Sequence, residues 1–281
     1  MAIAVADILR ARGENPVAIS ADALQVYAGL ETLTGAADAE EQSGLEHRLI
    51  GFLPVTQSFS VGEYMPLAHA EIDGALAAGR TPIVVGGTGL YLRAALTGLD
   101  LRPPPDPDLR ARLQARMEAE GPDVLREEVL RRAPAAEIGA GDRNRIIRYL
   151  ELLEMGHDPS PAHGESQLWT AETRVPTVLV GLVMDRKFLN QRIDSRMEAI
   201  AARARDEVAA ADAAGASQTA RKALGFEDLL RGDVDGLKRK TRRFAGRQMT
   251  WMRKLPGVHL VDVTGREAAN VAAEVARLLA R

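Results

Sequence analysis

Three short apolar runs constrain this chain most. Val17-Ala18-Ile19, Ile83-Val84-Val85 and residues 178–184 are each a few residues long, rich in β-branched side chains, and bounded by proline, glycine or charge. Runs of this length without polar alternation suit strands buried on both faces of a parallel sheet. The stretches between them carry apolar residues at helical spacing. Residues 64–78 form one such helix, closed by Gly79. Residues 185–214 read as a single long helix, with Leu189, Ile193, Met197 and Ile200 on one stripe. Strand, helix and strand in repeated order predict a doubly wound α/β core, with helices on both faces of a parallel sheet.

Residues 101–170 break that rhythm and contain only helical patterns. After Arg102 come Pro103, Pro104 and Pro105; Asp106 then caps a predicted helix with Pro107 at its first position and Leu109, Leu113 and Met117 on one face before Gly121. Asp142 caps another, with Ile146, Leu150 and Leu153 inward and Gly156 as terminator. A loop over 157–166 leads back. The organisation expected is a core of residues 1–100 and 171–281, with 101–170 as an all-helical insertion. No apolar run approaches the ~18 residues that span a bilayer, and no signal peptide opens the chain, so a cytoplasmic protein is expected. The absence of cysteine excludes disulfides, thiolate catalysis and Cys-based zinc sites. The five histidines form no H-x-x-x-H pair, so no metal ligands are assigned and any metal must rest on oxygen.

Charge is unevenly distributed. The net charge is only −3, yet residues 1–100 hold five Lys/Arg against twelve Asp/Glu. Residues 238–254, KRKTRRFAGRQMTWMRK, hold eight basic residues and no acidic one. With Phe244 and Trp251 interleaved, this stretch suits phosphate contacts with some stacking. It equally suits a solvated helix face whose aromatics point into the core.

Three local sequences bear on chemistry. In Ser20-Ala21-Asp22-Ala23-Leu24-Gln25-Val26-Tyr27 a carboxylate follows the carboxyl end of a buried strand, the edge where open α/β sheets place ligands. Asp22 is a general-base candidate there, although an Asp before Ala-Leu-Gln is more often a helix cap. Val85-Gly86-Gly87-Thr88-Gly89 is a second strand end, where glycines admit an anion or ring close to the backbone and Thr88 offers a hydroxyl. In Thr219-Ala220-Arg221-Lys222-Ala223-Leu224-Gly225-Phe226, Arg221 is suited to clamping a phosphate, although an isolated arginine more often ends in a surface salt bridge.

The start of the chain is unusual for such a core. Met1, Val5, Ile8 and Leu9 already fall at helical spacing, with no Ser, Thr or Asp ahead to cap the helix. In α/β nucleotide folds the helix before such a strand carries the phosphate loop, but G-x-x-x-x-G-K-[ST] occurs nowhere in the 281 residues.

In combination these segments resemble the tRNA dimethylallyltransferase (isopentenyltransferase) family. S-A-D-A-L-Q-V-Y, G-G-T-G-L-Y-L-R-A-A-L, D-R-N-R-I-I-R-Y-L-E, R-K-A-L-G-F and T-R-R-F-A-G-R-Q-M-T-W appear in the family's order, and the likeness runs from residue 1 to about residue 262. The resemblance implies a P-loop NTPase-like core whose helical insertion grips the anticodon arm. It also implies transfer of a dimethylallyl group from dimethylallyl diphosphate, with Mg²⁺ on the diphosphate, to N6 of the adenine 3′ of the anticodon. Carried over by position, it makes Asp22 the acceptor of the amine proton, places Thr88 beside the target base, and sets Arg221 against the leaving diphosphate. Contacts to tRNA are implied for Asp22, Ala23, Leu24, Gln25 and Thr88. They extend to Asn144, Arg145, Ile146, Ile147 and Arg148 in the insertion, and to Lys240, Arg243 and Arg247 in the basic stretch. A monomer suffices for one such site.

The chain departs from the family pattern in three places. The P-loop and its strand, which should precede the helix at Met1, are absent. Leu33-Thr34-Gly35-Ala36-Ala37 lacks a lysine usual there, and Ala204 stands where glycine is usual. An internal methionine taken as the start is the expected reason for the first departure; the alternative is a short form that only binds tRNA. The 281-residue form is expected to bind tRNA and to transfer the prenyl group poorly. A non-catalytic RNA-binding protein, a transferase for free adenine nucleotides and a small-molecule P-loop kinase are the competing readings.

Overall fold

The computed structural model describes residues 1–104, 106–159 and 167–279, so Pro105 and the 160–166 part of the predicted 157–166 loop lie outside the described residues. The chain divides into two units, Met1–Leu99 with Leu168–Arg281, and Asp100–Gln167. The first opens with α1 (Ala2–Ala11), β1 (Pro16–Ser20), β2 (Tyr27–Ala28), α2 (Glu31–Thr34), α3 (Ala39–Gly44), β3 (His47–Arg48), β4 (Leu53–Pro54), α4 (Val61–Ala77), β5 (Thr81–Val85) and α5 (Gly89–Leu96). The second holds α6 (Pro107–Glu120), α7 (Pro122–Arg132) and α8 (Arg143–Glu154). The first unit then resumes with β6 (Val180–Val183), α9 (Arg186–Arg203), α10 (Arg205–Ala213), α11 (Phe226–Leu230), α12 (Val234–Lys254), β7 (His259–Asp262) and α13 (Ala268–Leu278).

All described strand pairing is parallel. β1 lies between β3 and β5, with Ala18 opposite Ile83 and Ile19 opposite Val84. All five β1 residues are buried, so both faces of this sheet are covered. β6 pairs with β7 in a separate two-stranded sheet, and β2 with β4 in another. β5 pairs only with β1 among the described strands, and its residues are half-buried or exposed where those of β1 are not. A cluster built from Val5 and Leu9 of α1, Val261 of β7 and Val271, Ala272 and Val275 of α13 draws in Ile83 and Val180, so one core backs both sheets. α1 begins at Ala2 without a side-chain cap.

The predicted helix over 185–214 is two helices. Asp185 caps α9 by accepting from the Lys187 and Phe188 amides, and Ile193, Met197 and Ile200 are buried on its stripe. The helix breaks at the fully buried Ala204, and α10 begins at Arg205. From α10 the Glu207 carboxylate accepts from the amides of Thr32 (3.0 Å) and Leu33 (3.1 Å), orphan donors in the first turn of α2.

Within the helical unit, Asp106 accepts from the Leu109 amide and Asp142 from the Arg145 amide, the two predicted caps. Leu113, Met117, Leu125, Val129, Ile146 and Leu150 form its core. At the edge of that core, Glu151 is 0% exposed. It accepts from Arg110 at 2.6 and 3.2 Å and from Arg148 at 3.1 Å, and Arg148 also donates to the Pro103 carbonyl. A buried carboxylate persists only with such partners, and stranding two guanidinium groups costs more than the pair's net worth. Glu151→Ala is therefore expected to destabilise this unit by about 2–4 kcal/mol, read as an earlier chemical-denaturation midpoint; an unchanged midpoint removes the clamp from the account.

Candidate active site and nucleic-acid interface

Because β1 and β5 run side by side in parallel, the loops leaving their carboxyl ends emerge at one edge. Asp22 leaves β1 there and Thr88 leaves β5. No helix follows Asp22, so it is not a helix cap: its Oδ1 accepts from the Leu24 amide at 2.9 Å in a tight turn. Its Oδ2 accepts from the Thr88 hydroxyl at 3.4 Å. Both carboxylate oxygens keep a free lone pair, so the group is aimed and still able to take a proton. Beneath the pair, the Tyr64 hydroxyl donates to the Ser20 carbonyl at 2.9 Å, and the Tyr64 and Tyr91 rings lie 4.7 Å apart. Burial pushes the Tyr64 phenol well up, helped by Tyr91 and Asp22, so it stays a protonated donor. Burial raises Tyr91 likewise. Neither tyrosine was among the site residues expected from sequence, although Tyr91 lies in the G-G-T-G-L-Y-L-R motif and Tyr64 at the start of the predicted 64–78 helix.

The glycines of the second loop are required by protein neighbours. A Cβ on Gly86 would stand 2.3 Å from the Ala21 carbonyl oxygen, and one on Gly87 1.9 Å from Gln248 Nε2. One on Gly89 would stand 2.2 Å from the Trp251 ring. The close approach expected there is thus made to α12 and to the β1 loop. Gln25 is likewise occupied: Ser20 donates to its Oε1 at 2.9 Å, and its Nε2 donates to the Gly35 carbonyl. Ala23 and Leu24 are half-buried beside it.

Arg221 is not joined to Asp22 and Thr88. Its guanidinium pairs with Asp212 at 2.5 Å and Glu227 at 2.9 Å and lies over the Phe226 ring, 4.9 Å from the centroid. The hydrogen bond to Asp212, with that to Glu227, raises its pKa further. The segment before it is tied to the core through Thr219, which accepts from the Tyr27 hydroxyl at 2.8 Å and the Phe59 amide at 3.3 Å.

The interface residues expected from sequence divide into exposed and occupied ones. In the helical unit Asn144 and Arg145 are exposed. Ile146 and Ile147 correct the expectation: they are 0% and 7% exposed, and their side chains pack inside that unit. Arg148, expected to share a tRNA-facing surface with Arg145, is turned onto Glu151. On α12 the same division appears. Lys238 pairs with Glu198 (2.6 Å) and Arg242 with Asp194 (2.5 Å), both on α9, while Lys240 pairs with the buried Asp228 at 2.8 Å. Arg243 and Arg247 are exposed, and Arg247 lies over the Phe244 ring at 5.5 Å. Lys254 lies over Trp169 at 5.3 Å. Among the described residues no group of three or more His, Asp or Glu is placed to hold a metal ion, and no helix is long and apolar enough to cross a membrane.

Residues 25–255 match the family described as IPP transferase. A tRNA dimethylallyltransferase of Thermobifida fusca is 38% identical over 273 residues, covering 92% of this chain and 84% of its own. One of Kineococcus radiotolerans is 36% identical and covers 99% and 91%. Among solved structures, the tRNA isopentenylpyrophosphate transferase of Bacillus halodurans matches at TM-score 0.68 and 29% identity, over 99% of this chain and 91% of that one. A eukaryotic dimethylallyltransferase captured acting on tRNA shares the fold at TM-score 0.73 and 23% identity, over 93% and 71%. With a parallel α/β core, a carboxylate and a hydroxyl paired at its ligand edge, and this likeness over almost its whole length, the chain belongs to the IPP transferase family.

Proposed function

We propose that this chain transfers a dimethylallyl group from dimethylallyl diphosphate to N6 of the adenine 3′ of the anticodon in tRNA. Besides family membership, the observation that carries the reading is the Asp22–Thr88 pair at the sheet edge. An exocyclic adenine amine is a poor nucleophile until a positioned base takes its hydrogen. In the transfer, N6 forms a bond to C1 of the dimethylallyl group, the C1–O bond breaks, and the diphosphate leaves with that electron pair. The N6 proton passes to the Asp22 carboxylate, and Thr88 steadies the carboxylate and borders the base. Arg221, exchanging Asp212 and Glu227 for diphosphate oxygens, balances the leaving charge. Mg²⁺ belongs to this scheme as a companion of the diphosphate substrate, held mainly by phosphate oxygens and water. No protein ligand is assigned to it.

Reaching the base requires flipping it out of the anticodon loop, which costs a few kcal/mol that backbone contacts offset. Arg243 and Arg247 are the residues we assign to those contacts on α12, with Asn144 and Arg145 on α8. Lys240, Arg148, Ile146 and Ile147 are left with structural roles. One chain carries the whole pair, so a monomer suffices.

Single-turnover transfer to tRNA at high donor concentration tests the reading. Asp22→Asn, which keeps the acceptor for the Leu24 amide, is expected to cut the rate at least ~100-fold while tRNA affinity stays within about threefold. Tight tRNA binding by the unsubstituted chain with no transfer at any donor concentration sinks the enzymatic reading in favour of a binding protein. Arg243→Ala with Arg247→Ala is expected to weaken tRNA binding and reduce its salt slope by about 2, roughly one per lost phosphate contact. Lys240→Ala, which leaves the buried Asp228 with only its longer contact to Arg231 at 3.4 Å, is expected to lower thermal stability instead, and an unchanged melting temperature counts against that division.

A further inference from the structure

Two residues of α12 grip the loop on either side of Thr88. Gln248 Nε2 donates to the Gly87 carbonyl at 2.9 Å. Three residues on, and so on the same helix face, the Trp251 ring packs against Gly89. Neither glycine has room for a Cβ while these two side chains keep their places: a methyl at Gly87 would push the Gln248 amide aside, and one at Gly89 would push the Trp251 ring. Trp251 also meets Trp169, with centroids 4.5 Å apart and the rings tilted by 44°, and Trp169 in turn carries Lys254. The result is a run of contacts, Gly89–Trp251–Trp169–Lys254. On the other side of the loop, Gly86 abuts the Ala21 carbonyl, one residue from Asp22.

We propose that Gln248 and Trp251 are positioning residues for the transfer step: they hold Thr88 against Asp22, so that the pair exists only while α12 is seated. The proposal rests on the transfer reading for its reaction, and on the contacts above for its geometry. Thr88 touches Asp22 through one hydrogen bond near the long limit of such contacts, so a small displacement of the loop breaks it. Gly87 and Gly89, the residues on either side of Thr88, are both fixed by one helix, and that helix carries Arg243 and Arg247 within two turns of Gln248. RNA engaged by those arginines therefore bears on the same rigid rod that sets the acceptor pair. This accounts for a glutamine and a tryptophan standing inside a stretch otherwise dominated by cations.

The chain with ¹³C-methyl threonine, and its variants, separate this from ordinary packing. Gln248→Leu keeps the bulk and removes the donor. It is expected to shift the Thr88 methyl resonance and lower the saturating single-turnover rate about tenfold or more, since misplacement of under 1 Å is enough. Its tRNA affinity is expected to stay within about twofold and its melting temperature within ~2 °C, as one amide–carbonyl bond exchanged for bonds to water contributes little net stability. Gly87→Ala, which drives a methyl into Gln248, is expected to repeat the defect. Trp251→Ala is expected to lose rate similarly and Trp251→Phe to regain most of it. Arg243→Ala with Arg247→Ala is expected to lose tRNA affinity while the Thr88 resonance stays in place. A Thr88 resonance unmoved in both Gln248→Leu and Trp251→Ala overturns the clamp. A wild-type rate in Gln248→Leu, or a fall in rate matched by an equal fall in tRNA affinity, overturns its role in transfer. Should the unsubstituted chain transfer nothing, the transfer reading fails by itself, and the resonance still decides the clamp.

Discussion

The parallel pairing of β1 with β5 is the constraint on which the site depends. Adjacent parallel strands lie about 4.8 Å apart, so two loops far apart in sequence leave the sheet as neighbours. Asp22 and Thr88 are 66 residues apart in the chain and meet only for this reason. The register is strict: Ser20 faces Val85, and the Ala21 amide continues the ladder by donating to the Val85 carbonyl at 2.7 Å. A slip of one residue would turn β1's side chains to opposite faces and carry Asp22 off the edge. Gly86 permits the closeness that this continuation demands, because any side chain there would strike Ala21.

A second principle governs the cations. Eight basic residues in seventeen look like one surface, yet three of them, Lys238, Lys240 and Arg242, pair with other helices, and Arg239 pairs with Asp233 at the cap of its own. Asp194 and Glu198 of α9 stand four residues apart, as do Lys238 and Arg242 of α12, so the two helices join through matched rungs. Lys240 answers the buried Asp228. Among the described residues no ion pair is seen for Arg243, Arg247 and Arg253, which are exposed, or for Lys254, on its aromatic seat. Position along the helix, more than the sum of charge, separates the cations left open from those with structural partners. The insertion repeats the division: Arg145 is exposed while Arg148, one turn on, is drawn onto a fully buried carboxylate.

These two principles explain what was legible beforehand. β1, β5 and β6 were visible as short apolar runs rich in β-branched residues, although only β1 is buried on both faces, β5 and β6 being largely half-buried or exposed. The caps at Asp106 and Asp142 were visible because capping is local. The break at Ala204 was not, since alanine is a good helix former and its cause lies in Glu207 reaching the amides of α2. The two-residue strands β2, β3 and β4 were invisible for want of any periodicity in so few residues. In the site, Asp22 was found as a carboxylate past a strand end. Its freedom from a helix, its contact with Thr88 and the tyrosine pair beneath it depend on tertiary packing that no spacing encodes. The glycine loop was read correctly as a place of close approach, but the group approaching is the protein's own Gln248 and Trp251.

Arg221 shows how a residue engaged in one set of contacts remains compatible with another. Its two carboxylate partners are themselves about two-fifths exposed, and ion pairs open to water hold their members weakly because solvent competes for each charge. In the transfer proposed above, a diphosphate would offer the guanidinium two oxygens of one group in place of single oxygens from two carboxylates, with greater charge, which favours exchange of partners. Phe226 lies beneath the guanidinium and would support it through such an exchange, while Thr219 ties the segment to Tyr27 and Phe59. On that proposal the carboxylates are a resting place for the arginine, and the segment is held by hydroxyl bonds to the core as well as by the ion pairs.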